Sequence, residues 1–202
     1  MGVNLAPLIG RFQIRIRTFR KTHCAVRERC TKPGKRKLLC FDFRIWNKGN
    51  KDLHIGTPAQ HPSWFEYSDC PQHQHYHLKG FNQYTVFRPD GGRSLGQKQG
   101  FCLEDTRWKG PAPRKRKRFN CEDQGVSAGW YDLYPRYLDC QWVDITGLPD
   151  GDYVLQAETN PRRRNGRRRV REDTYEDNII QVGVRIAGRR AKKLAKLPFN
   201  PA

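Results

Sequence analysis

The sequence predicts an all-β chain folded as a β-sandwich, with long loops and little helix. Three observations carry that expectation. Apolar residues recur with a period of two, the alternating stretches end at Gly/Pro/Asp/Asn turns, and 5 Trp, 8 Tyr and 10 Phe in 202 residues supply large side chains for a core. Phe12, Ile14 and Ile16 alternate with Gln13, Arg15 and Arg17. Leu39, Phe41, Phe43 and Ile45 alternate with Cys40, Asp42 and Arg44, and the stretch closes at Asn47-Lys48-Gly49-Asn50. Tyr84 and Val86 lead into Pro89-Asp90-Gly91-Gly92, and Tyr153, Leu155 and Ala157 follow the turn Pro149-Asp150-Gly151. Ile180, Val182, Val184 and Ile186 form the last alternating run. Half-buried strands joined by such turns are the pattern of a sandwich.

Between Arg93 and Pro135 alternation fades, and a loop of that length is usually functional or cross-linked. Gly188 to Lys196 reads as a basic, partly helical tail, so one domain is expected over 1–186 and a basic C-terminal tail over 187–202. Lys and Arg number 39 against 20 Asp and Glu, a net charge of +19. The aromatic content argues against a disordered basic chain, and the apolar runs are too short to span a membrane. The start, Met1 to Gly10, is apolar but has no charged n-region, so it is not read as a signal peptide.

Seven cysteines (24, 30, 40, 70, 102, 121 and 140) include no CxxC pair, which argues against a zinc ribbon or thioredoxin-like site. Their spacing alone leaves two readings open: three disulfides with one thiol left over, or seven buried thiols. The sharpest local signal is His73-Gln74-His75-Tyr76-His77. On a strand, residues i, i+2 and i+4 share a face, so three imidazoles would converge on one ion. Neutral imidazole suits copper, zinc, iron or nickel, and intrinsic affinity favours Cu(II). Lys79 stands where a two-His-one-carboxylate iron site would need an acid. Three ligands leave positions open for chemistry. His23, His54 and His61 follow no pattern.

Four blocks in this order resemble the lysyl oxidase family. They are Cys70 to His77, Gly96-Gln97-Lys98-Gln99-Gly100-Phe101-Cys102-Leu103-Glu104-Asp105-Thr106, Asp123 to Tyr134, and Leu138 to Thr146 running on to Gly151-Asp152-Tyr153 and Asn160-Pro161. The resemblance covers about residues 24–186. It implies a copper-dependent amine oxidase whose quinone is built from its own side chains, a lysine tyrosylquinone. The copper ligands carry over to His73, His75 and His77, and the quinone partners to Lys98 and Tyr134. It also implies the disulfides Cys24–Cys70, Cys30–Cys140 and Cys102–Cys121, with Cys40 unpaired. A further family bridge is missing as a unit, because Arg107 and Trp130 occupy its two positions. Pro71 and Gln72 separate Cys70 from His73, where the family has them adjacent. Some members bind calcium through a segment resembling Glu172 to Asn178. Here Thr174 replaces one acid and no Asp stands near Pro7, so calcium is not expected.

The implied reaction converts the ε-amine of peptidyl lysine, and of free primary amines, to an aldehyde (allysine) with O2, releasing H2O2 and ammonia. It needs an electron sink that no ordinary side chain supplies. Asp105, Asp132, Asp139 and Asp144 lie in the family blocks as candidates for the base. The implied location is secreted, extracellular or in the cell envelope. Two other readings are a non-catalytic copper-binding module of the same fold and a basic polyanion-binding protein. Arg114 to Arg118, Arg162 to Arg171 and the tail are basic runs that read as solvated loops or as polyanion attachment. They lack the interleaved aromatics of single-strand binders, which argues against nucleic acid as the partner.

Overall fold

The computed structural model describes residues 2–71, 74–96, 100–111 and 116–201. Among them lie two five-stranded antiparallel sheets and two short ribbons. The first sheet is built on β1 (Leu5–Phe19) and β2 (Gly34–Asn47), paired from Leu5↔Asn47 to Phe19↔Gly34 with a bulge between Ile9 and Phe12. The apolar start of the chain therefore runs directly into β1. A ribbon follows, formed by β3 (Leu53–Gly56) with β9 (Gln124–Val126), and a hairpin formed by β4 (Phe65–Tyr67) with β5 (Tyr76–Leu78). β8 (Arg107–Trp108), β10 (Trp130–Tyr134) and β11 (Trp142–Asp144) complete the first sheet, in which β10 and β11 pair with β2 along different parts of its length.

The second sheet has the order β14-β13-β12-β6-β7, where β6 is Asn82–Phe87, β7 Arg93–Leu95, β12 Gly151–Thr159, β13 Ile179–Ala187 and β14 Arg190–Lys193. The stretch expected to be a partly helical tail is thus a strand. Its Ala/Lys composition suits a helix, but the open edge of β13 offers ladder partners from Val184↔Lys193 to Ala187↔Arg190 that the local preference does not outweigh. The only helices among the described residues are one turn at Cys24–Arg27 (α1) and a 3₁₀ turn at Pro62–Trp64. None is long and apolar enough to cross a membrane.

The sheets meet through aromatic rings. Phe41 and Phe43 of β2 abut Tyr84 of β6 edge-on, with centroids 4.9 and 5.1 Å apart. Such contacts add about 0.5–1.5 kcal/mol each beyond the area they bury. The Tyr84 hydroxyl, fully buried, donates to Gln141 Oε1 at 3.2 Å, and Gln141 Nε2 donates to the Phe41 carbonyl. A smaller cluster gathers Phe19, Ala25, Leu38, Cys40 and Trp142. Three disulfides tie the loops down: Cys24–Cys70, Cys30–Cys140 and Cys102–Cys121. Cys40 is a buried free thiol, and burial pushes its pKa up to about 12, so it is not a nucleophile at neutral pH.

Candidate metal and cofactor site

The histidine segment is only partly a strand. β5 begins at Tyr76, and Gln74 sits at φ +44° in a turn whose N–H donates to the Cys70 carbonyl. The expected alternation therefore does not extend to Gln74. Within β5 it holds: His77 is 1 % exposed and Tyr76 points outward. His75 and His77 lie on one side of the chain, with Nε2 atoms 3.1 Å apart and ring centroids 4.7 Å apart. His73 and Lys98 lie outside the described residues, as do Arg114 and Lys115.

Several contacts fix this hairpin. β4 pairs Glu66 with His77, Leu78 N–H donates to the Phe101 carbonyl at 3.1 Å, and Cys70 is bonded to Cys24 of α1. Gln124, fully buried, donates from Nε2 to the Tyr76 carbonyl at 2.8 Å and to the Cys121 carbonyl at 3.2 Å, and its Oε1 accepts from Leu103 N–H at 2.9 Å. One amide side chain thus clamps the backbone between the two histidines to the Cys102–Cys121 loop. Sequence reasoning missed it, because a glutamine before a glycine looks like an ordinary loop residue.

β10 supplies the rest. Trp130, Asp132 and Tyr134 alternate onto its buried face. Tyr134 stacks on Phe43 at 6.2 Å and packs against Phe101 at 4.8 Å, and Phe101 lies 6.4 Å from His77. The Tyr134 hydroxyl donates to the Cys102 carbonyl at 3.1 Å. A cavity of about 210 Å³ is lined by His75, His77, Phe101, Glu104, Asp132 and Tyr134, among others. It opens beside a wider groove of about 750 Å³ that shares His75 and Cys121 and carries Tyr67, Tyr76 and Glu122.

Asp132 is 2 % exposed and accepts from Thr106 Oγ1 at 2.7 Å and from Glu104 N–H at 3.2 Å. Burial outweighs these donors and pushes its pKa up to about 7. Burial, then the Asp132 charge and its hydrogen bond, raise Tyr134 well above the ordinary phenol range. The other three carboxylates are committed elsewhere. Asp105 accepts four hydrogen bonds, from Arg118 N–H, Phe119 N–H, and Ser127 N–H and Oγ. Asp139 is ion-paired to Arg17 at 2.6 Å, and Asp144 caps Thr146 and accepts from Thr31.

The two imidazoles could serve one transition-metal ion. With metal–imidazole bonds of about 2.0–2.1 Å, two nitrogens on one ion lie about 3 Å apart, and the His75 and His77 nitrogens are separated by 3.1 Å. The Cys102 and Cys121 sulfurs lie beside His75, but they are bonded to each other and so are walls, not thiolate ligands. The segment from 172 to 178 is a hydrogen-bonded node. Glu172 accepts from Leu5 N–H, Asn160 Nδ2 and Asn178 Nδ2, and Asp177 is ion-paired to Lys48.

A model of the lysyl oxidase family matches residues 15–195. The chain belongs to the lysyl oxidase family. Among curated proteins it is similar to "Lysyl oxidase homolog 2" of Pongo abelii and of Homo sapiens, each 36 % identical over 178 residues, and to that of Bos taurus, 35 % identical over the same length. Each alignment takes in 83 % of this chain and 22 % of the relative, so the chain spans about a fifth of the length of these proteins.

Proposed function

We propose that this chain is a copper- and quinone-dependent amine oxidase acting on the ε-amines of peptidyl lysine. The observation that carries the proposal is one small cavity lined by two convergent imidazoles, a buried phenol and a buried carboxyl group. His75 and His77, with His73, would hold copper, and Lys98 would join Tyr134 in the quinone. Together these groups would supply the electron sink and its reoxidation by O2. The overall change is a primary amine, O2 and water giving an aldehyde, H2O2 and ammonia.

The chain's own residues bind the amine and move its proton. Asp132 is the base: with a pKa of about 7 it is about half ionised at neutral pH and basic enough to accept the proton from the carbon next to the amine nitrogen. Phe101 and Leu138 close the cavity against water. The cationic substrate meets a chain of charge +19, but the cavity and groove present Glu104, Asp132, Asp139 and Glu122. Arg17 and Lys117 offset two of these, which leaves Asp132 and Glu122 to attract an ammonium locally. The wide groove suits a lysine borne on a polypeptide. Three disulfides suit an oxidising compartment, so we place the protein outside the cell or in its envelope.

The test is H2O2 release from a lysine-containing peptide by protein matured aerobically with Cu(II). Wild type should turn over, and Tyr134→Phe should bind copper with the same electron paramagnetic resonance signal yet release none. Full turnover by Tyr134→Phe would overturn the proposal.

A further inference from the structure

The loop from Arg162 to Arg171 carries seven arginines and is built unlike a solvated charge run. Its base is pinned by Asn160, whose Oδ1 accepts from Arg169 N–H and Val170 N–H and whose Nδ2 donates to the Val170 carbonyl. Its tip is a closed turn, with Arg163 N–H donating to the Arg167 carbonyl and Gly166 N–H to the Arg163 carbonyl. Gly166 has φ +75°, where a side chain would be strained.

The arginines surround a concavity of about 440 Å³ lined by Arg162, Arg167, Arg168, Arg169 and Arg171 with Tyr175, and no acidic residue lines it. Elsewhere arginines meet acids, as in Arg17–Asp139, Arg118–Asp52, Arg136–Asp42 and Arg185–Asp152. In this loop, among the described residues, the ion pairs are confined to Arg168–Glu158 at 3.4 Å. Two guanidinium groups are also immobilised. Arg168 lies over the Tyr175 ring at 4.7 Å and donates to the Asn160 carbonyl, and Arg169 lies over the Trp64 ring at 4.9 Å and donates to the Lys79 carbonyl. Burial, and after it the charge of Arg163, lower the Arg169 pKa to about 10.

We infer that this arginine concavity is a binding site for the sulfate esters of an acidic polysaccharide, distinct from the amine-oxidising cavity. Fixed guanidinium forks match tetrahedral oxyanions, and ordering them before binding reduces the entropy lost on docking. Nucleic acid fits less well: Arg168 lies over one face of Tyr175 and Arg169 over one face of Trp64, which reduces the ring surface left for a base to stack on.

The experiment is calorimetric titration of the intact protein with a heparin hexasaccharide across a range of salt concentrations. The Arg167→Gln/Arg171→Gln double variant removes two exposed pocket arginines whose side chains hold no partner among the described residues. Arg189→Gln/Lys192→Gln removes the same charge near β14. The pocket variant should weaken binding about tenfold and lower the slope of log Kd against log salt by about two. The β14 variant should change binding less than threefold, and oxidation of a small primary amine should be the same in all three proteins. An equal loss in both variants would overturn the inference in favour of diffuse charge, and no measurable binding by wild type would overturn it outright. Tighter binding of a single-stranded oligonucleotide of the same charge would overturn it in favour of nucleic acid.

Discussion

Asp132 and Tyr134 stand two apart on one strand, and their chemistry is set by what surrounds that face. Burial of the Asp132 carboxyl group outweighs its hydrogen bonds from Tyr134, Thr106 and the Glu104 backbone, so it protonates near neutrality. Asp132→Asn should lower kcat by about 10²–10⁴, the range for losing a positioned base. It should also remove the acidic limb, near pH 7, from the pH profile of kcat. A profile with that limb intact in the variant would assign the base elsewhere. The same shift affects stability. The folded pKa lies above the ordinary carboxyl value, so the stabilising contribution of Asp132 is complete below about pH 4 and is lost as pH rises through about 7. Denaturant midpoints measured from pH 4.5 to 8 should fall more for wild type than for Asp132→Asn. Identical slopes would show that the carboxyl group is ordinary. At this level the sequence was informative where a motif spoke: His75, His77 and Tyr134 line one cavity. It offered Asp105, Asp132, Asp139 and Asp144 as equals, because what separates them is partners brought from distant strands, such as Arg17 for Asp139.

The β4–β5 hairpin is short, and tertiary contacts hold it where propensity alone would not. Gln124 contributes three of them, to Tyr76, Cys121 and Leu103. Gln124→Leu keeps the volume and strands two carbonyls and one N–H, each at about 1–3 kcal/mol. Thermal unfolding should show a loss of at least about 3 kcal/mol, and the variant should bind Cu(II) more weakly because the backbone between His75 and His77 is released. Copper affinity unchanged within twofold would rule out a positioning role. Alternation made most strands legible, including the runs at Phe41, Tyr84, Tyr153 and Val184. It failed at Gln74, which is left-handed where alternation predicts a strand residue, and at Arg190–Lys193, where an open sheet edge decides a segment of helical composition. Neither a backbone angle nor a vacant edge is written in local hydropathy.

Across the chain, two sheets joined by aromatic contacts form the support, and the described residues between β7 and β10 are fastened to it by covalent and side-chain links. Cys30–Cys140 closes the longest span, 110 residues. Replacing both cysteines by serine should cost about 2–5 kcal/mol, read as a lower unfolding midpoint, while reduction-insensitive unfolding of wild type would contradict a structural role for that bridge. The most direct test of the whole account is peptide mapping by mass spectrometry of protein matured aerobically with Cu(II). The account predicts a covalently joined pair of peptides, one containing Lys98 and the other Tyr134, that is absent when copper is withheld. Recovery of both peptides separate and unmodified from the copper-loaded protein would contradict it.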